Sequence, residues 1–112
     1  MLDPVAGKLE QYLDLLSARQ KLVTSNIANA DTPGFKTKDI DFQTEFLSAL
    51  GGVAPHATEV PGLPARNDGN NVSIDREARL LAENDLRFNI ATNLLRAQIR
   101  TVKEAIQEGK SA

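Results

Sequence analysis

Cysteine and tryptophan are both absent from this 112-residue chain. Without cysteine there are no disulfides and no thiolate metal sites. That absence fits any compartment. Aromatic residues make up only 4%, so a broad globular core is not expected, and the length allows one small domain at most. No charge of one sign dominates: 13 basic residues stand against 15 acidic ones, a net charge of -2. Nothing global therefore points to nucleic acid or to an anionic membrane. No apolar run approaches the ~20 residues needed to cross a bilayer, so membrane insertion is not expected. The opening MLDPVAGKLEQ has no basic flank, apolar core or small-residue cleavage site. It does not read as a secretory signal peptide.

What is present is aliphatic: 41% of the residues are hydrophobic, chiefly Leu, Ile, Val and Ala, which suits seams between helices. Asp3 and Pro4 suit a helix start, one as cap and one as first helical residue. Leu2, Leu9, Leu16 and Val23 then recur every seventh residue. Val5, Tyr12, Leu13 and Ile27 lie beside that line, and Arg19 and Asn26 interrupt the companion row. This is a coiled-coil-like stripe. Pro33 disfavours helix at Thr32, and Gly34 allows a turn with positive φ, so the helix is expected to span 4–29. Phe42, Phe46 and Leu50 share one face of a short helical element that Gly51-Gly52 stops. Residues 53–71 hold Pro55, Pro61, Gly62, Pro64 and Gly69 with no apolar period. They read as a mobile linker. A second long helix is expected over 73–108, capped by Ser73 and ended by Gly109. Its main row is Leu81, Phe88, Leu95 and Val102. The expected fold is all-α: one subunit, with an antiparallel hairpin of two long terminal helices. A turn, the short element and the Pro/Gly-rich loop, together 30–72, join them.

Catalysis finds no support. The single His56 sits in the Pro-rich loop, where nothing rigid would hold a base within reach of a nucleophile. The pairs Asp39/Asp41 and Glu83/Asp85 diverge if helical and read as solvated surface. Asp68-Gly69-Asn70-Asn71 faintly suggests a calcium loop, but its twelfth position is the cation Arg79, so it reads as a turn. Arg96, Arg100 and Lys103 share one helix face and read as a solvated flank that complements the helix dipole. No enzyme activity, cofactor or metal is expected.

The apolar surplus is more informative. A hairpin has one seam, yet Leu86, Ile90 and Leu94 form a second stripe on the second helix, rotated away from Phe88. We expect Leu9, Leu16, Val23, Leu81, Phe88, Leu95 and Val102 to form the internal seam. Leu86, Ile90 and Leu94 are then left to meet other chains.

One segment is more specific still. It runs Ser25, Asn26, Ile27, Ala28, Asn29, Ala30, Asp31, Thr32, Pro33, Gly34, Phe35, Lys36. It resembles the signature near the N-terminus of bacterial flagellar axial proteins, the rod, hook and hook-associated subunits. The opening MLD, the run Asp39-Ile-Asp-Phe42 and the block at 68–89 are similar to the proximal-rod members of that family. The resemblance covers roughly 1–50 and 68–108. It implies a structural subunit exported through the flagellar type III apparatus without a cleaved signal peptide. Such a subunit polymerises through its terminal helices into the hollow periplasmic rod of the basal body. The implied partners are other rod subunits, copies of itself, the membrane-ring adaptor protein and, in transit, the export apparatus; no nucleic acid is implied. Asn26 and Asn29 could fix register there, and Pro33-Gly34 make an abrupt exit. A β-branched residue is expected to be worse at Gly34 than at Gly62, in the freer loop. The rival reading of a helical hairpin, a soluble adaptor or export chaperone, has no need of the 25–36 turn.

Overall fold

The structure, a computed structural model, describes residues 4–52 and 54–111, the last by its backbone. Leu2 and Asp3, expected as stripe and cap, lie outside the described residues. Helix α1 spans Pro4–Ala28. Strand β1 is Lys38–Asp39 and helix α2 Phe42–Leu50. Strand β2 is Thr58–Glu59 and helix α3 Ile74–Ser111. The shape is long and thin, 71 × 25 × 17 Å. The fold is all-α apart from one two-residue antiparallel pairing, in which Lys38 faces Glu59 and Asp39 faces Thr58.

Local chemistry explains the boundaries. After Ala28 the backbone tightens through Ala30 N–H to Ile27 O (3.1 Å) and Thr32 N–H to Asn29 O (3.0 Å). Pro33 then forbids continuation. Asp41 caps α2 by accepting from Thr44 N–H, and Gly51 and Gly52 close it with bonds to Ser48 O and Ala49 O. Ser73 Oγ accepts Arg76 N–H at 3.2 Å and starts α3. Gly109 does not end α3, which runs through it to Ser111. A lone glycine in a helix costs only about 1 kcal/mol.

The long helices run antiparallel. Asn26 meets Glu77 and, two to three turns earlier on α1, Leu16 O accepts from Asn84 Nδ2 at 2.9 Å. Extending that register, α1 is used up near residue 98 of α3. Residues 101–110 are all exposed, so α3 overhangs its partner by about three turns. On α1 the buried line is Ala6, Leu16, Val23 and Asn26; on α3 it is Glu77, Asn84 and Ala91. The expected row on α3 needs correction. Leu81 and Leu95 are only half-buried, and Phe88 and Val102 are 40% and 36% exposed. The true seam row keeps the seven-residue period but carries polar residues and an alanine, so no hydrophobic pattern marks it. The Leu81-to-Val102 row borders it, about 50° around the helix. Val102 also lies beyond the end of α1.

Helix α2 lies across α1. Tyr12 packs edge-on against Phe42 and Phe46, with ring centroids 5.3 and 5.9 Å away. Gln11 Nε2 donates to Ala49 O at 3.1 Å. Of the linker expected over 53–71, the stretch from Thr58 to Asn71 is anchored by the β1–β2 pairing, by Val60 N–H to Thr37 O and by Asn71 N–H to Phe35 O. Backbone and amide groups hold it, and these leave no apolar period to read.

Candidate functional site

The motif at 25–36 and the block beginning at Asp68 lie some forty residues apart in sequence, and the fold brings them together. Asn26 is 1% exposed. Its Nδ2 donates to Lys38 O at 2.8 Å and its Oδ1 accepts Lys38 N–H at 3.1 Å, so one side-chain amide clamps both main-chain polar groups of one residue. The same Nδ2 reaches Glu77 Oε1. Glu77 is fully buried and also accepts from Arg76 Nη1 at 2.9 Å. Arg76 Nη2 donates to Asp39 Oδ2 at 2.8 Å. Arg19 closes the chain from α1 with a two-pronged contact to the Asp39 carboxylate, 3.1 Å on each prong. Two cations meet two anions, so the cluster is neutral in sum, and its geometry ties α1, β1 and α3 together. A buried ion pair adds little net stability over apolar packing, but removing one member leaves an unpaired buried charge. Such a cluster selects one register.

Asp39 was expected as solvated surface on a helix. It is buried on a strand instead. Burial pushes its carboxyl up, but hydrogen bonds from Arg19, the Ile40 N–H and Arg76, with the nearby Arg19 charge, outweigh that and hold it below the usual value. Asp41 is a helix cap, and Glu83 pairs with Arg87 one turn on at 2.8 Å. His56 stands in the loop with Nδ1 3.2 Å from Glu45 Oε1. No cluster of three metal-ligating side chains occurs among the described residues.

A second set of bonds locks the turn. Asn70 is buried; its Nδ2 donates to Asn29 O (2.9 Å) and Thr32 O (2.8 Å), while its Oδ1 accepts Val72 N–H. Asn71 Oδ1 accepts Thr37 N–H at 2.6 Å. Gly34 N–H donates to Asp68 O at 2.8 Å, and Asn71 N–H to Phe35 O at 3.2 Å. Lys36 Nζ reaches Gly69 O, and Arg66 bridges Ala30 O and Val72 O. The approach is close enough that a Cβ on Gly69 would stand 3.4 Å from Gly34 Cα. Gly34 has φ of 76°, as a turn there requires. Gly62 has φ of 80°, so its loop is not free of the constraint expected only at Gly34.

The motif is thus split in two. Asn26 is buried, and Asn29, Ala30, Phe35 and Lys36 are partly so. Ser25, Ile27, Ala28, Asp31, Thr32, Pro33 and Gly34 are exposed. Arg66, Arg76, Glu77 and Asn84 were not singled out from sequence, and Arg19, Asp39, Asn70 and Asn71 read only as a stripe interruption, solvated surface and a turn, yet all of them hold the clasp and the seam. The signal available was the interruption of the first stripe at Arg19 and Asn26.

Of the other expected positions, Leu16 and Val23 are buried and Leu9 half-buried. Leu86 is 61% exposed, and Ile90 and Leu94 are exposed too. Ile90 and Leu94 line an apolar groove of about 390 Å³ with Val5, Leu9, Tyr12 and Phe46, rimmed by Lys8 and Arg87.

Residues 13–36 match a family model described as "Flagella basal body rod protein". The chain is 31% identical to the flagellar basal body rod protein FlgB of Yersinia ruckeri, an alignment covering 97% of this chain and 100% of that protein. It is 31% identical to FlgB of Escherichia coli K12, covering 97% of this chain and 99% of the relative. FlgB of Borreliella burgdorferi is 34% identical, over 75% of this chain and 82% of that protein.

Proposed function

The chain belongs to the FlgB family of flagellar basal body rod proteins, and from that premise we propose that it polymerises through its terminal helices into the hollow drive shaft of the proximal rod. The family is one of structural proteins, not enzymes, and its place is the flagellar basal body. The observation that carries the assembly reading is the apolar surface left over: Leu86, Ile90, Leu94, Ile99 and Ile106 stand exposed on one helix. One seam with α1 cannot cover them, and exposed apolar stripes of this size mark contact surfaces. The neutral polar clasp supports the same reading. It sets the angle between α1, the turn and α3 without a flexible joint, as a shaft under torque requires. Its partners would be other rod subunits, further copies of the chain and the membrane-ring adaptor protein. It would reach them through the flagellar type III export apparatus.

The test is substitution on the exposed face in a strain lacking the native gene. Ile90→Leu conserves volume and should leave motility intact. Ile90→Asp should leave secretion intact and abolish incorporation into basal bodies. Normal rods with Ile90→Asp would show that this face is not an assembly surface.

A further inference from the structure

Helix α3 carries two apolar stripes whose borders differ in charge toward its overhanging end. One is Phe88, Leu95, Ile99, Val102 and Ile106, centred about 50° to one side of the seam row at about 100° per residue. Along its outer edge run Arg96, Lys103 and Lys110, seven apart, with Arg100 beyond; all four are exposed. The other is Leu86, Ile90 and Leu94, centred about 100° to the opposite side of the seam row. Glu104 and Glu108, also exposed, continue that face along the overhang, while beside the stripe itself Glu83 is paired with Arg87. One helix thus presents an apolar stripe with a basic edge and, about 150° around, an apolar stripe whose face turns acidic on the overhang.

We propose that these two faces are the two halves of one contact between copies of this chain: the basic-edged stripe of one α3 seats against the face of the next that begins at Leu86 and turns acidic at Glu104 and Glu108, with the helices parallel. This rests on the rod reading above and specifies the surface it uses. Charge decides the partner. Pairing the basic-edged stripe with itself sets like charges together in an antiparallel pair. In a parallel pair it sets them against the uncharged Gln98 and Ala105. Pairing it with the other stripe sets Arg96 and Lys103 beside Glu104 of the neighbour. Charge decides direction as well. In a parallel pair the basic edge of one helix and the Glu104 edge of the next fall on the same side of the contact. Turning one helix end for end puts them on opposite sides. Geometry decides closure. The two faces lie about 150° apart around one helix, so the contact is head-to-tail and not reciprocal. Contacts of that kind form rings or open helical polymers, never a closed two-fold dimer. The overhanging end of α3, which α1 does not cover, is part of both faces and is free to enter such a wall.

The test uses charge reversal and cross-linking in the full chain in cells. Lys103→Glu and Glu104→Lys, made singly, should each sharply reduce incorporation into basal bodies. The double variant exchanges both halves of the contact in every copy and should restore most of it. Separately, Leu94→Cys with Ile99→Cys places one thiol on each face of this otherwise cysteine-free chain. A short bismaleimide should then give a ladder of multimers from purified basal bodies. A single dimer band, no cross-link, or failure of the double variant to recover would overturn the proposal. If the chain is present in basal bodies and the ladder is absent, this contact is wrong while the rod reading stands. If the wild-type chain is absent from basal bodies, the rod reading itself fails, and this contact with it.

Discussion

Replacing Asn26 with alanine should be the most damaging single truncation of a neutral polar side chain in this protein. The side chain makes two neutral hydrogen bonds to the Lys38 main chain and one to the buried Glu77 carboxylate. Neutral bonds contribute about 1 kcal/mol each and a bond to a charge about 1.5–3 kcal/mol, so the sum is about 3–5 kcal/mol. Glu77 keeps Arg76 as a partner, which holds the estimate below the cost of a fully stranded charge. A domain of this size has a total stability of only about 5–15 kcal/mol. With a urea slope near 1 kcal/mol per molar, the unfolding midpoint should drop by about 3 M or the fold be lost. Asn29→Ala is the control. Its side chain bonds only Ser25 O and Thr32 Oγ, and its loss should cost no more than about 1 kcal/mol. Both variants would be followed by far-UV circular dichroism in urea at one low protein concentration. Equal midpoints for the two would refute the view that the clasp, and not helix propensity, sets the register of α1 on α3.

Asp39 makes the clasp acid-sensitive. Its folded carboxyl is held below its usual value, so its contribution is fully present above about pH 4 and is lost as pH falls through the folded value. The stability gap between the native chain and Asp39→Asn should be flat at neutral pH and shrink under acid; a gap that widens in acid would contradict the assignment. Gly34→Val and Gly62→Val should each cost about 1–3 kcal/mol, because both residues have positive φ and a β-branched side chain resists it. Gly34 N–H donates to Asp68 O, so the backbone shift forced by Gly34→Val should also loosen the docked Asp68–Gly69 turn; at equal expression and export it should impair swimming more, and equal motility would count against that role. In amide exchange of a proven monomer, protection should be strong in α1 and in α3 near Glu77 to Ala91, and weak beyond residue 100, where α1 no longer covers α3. Uniform protection to the end of α3 would mean that the overhang has a partner even in solution.

The linear order of residues determined a good deal on its own. Repeats of seven placed two long helices, Pro33 placed the end of the first, Gly51-Gly52 the end of the short helix between them, and Ser73 the cap of the second. The same patterns exposed a surplus of apolar surface, and the 25–36 segment carried the family. Those features are local, fixed by backbone sterics and side-chain period, and they survive in a one-dimensional reading. Tertiary structure alone decided which face of α3 is internal. The seam row is Glu77, Asn84 and Ala91, and polarity hid it, because a buried Glu or Asn is stable only where a partner from a distant segment meets it. Asp39 read as surface for the same reason: its two arginines come from α1 and from α3. The loop after α2 looked free because amides and main-chain groups hold it, and those are common to every residue. Hydrophobic spacing can say that a face is buried, but which polar groups are buried with it depends on who stands opposite.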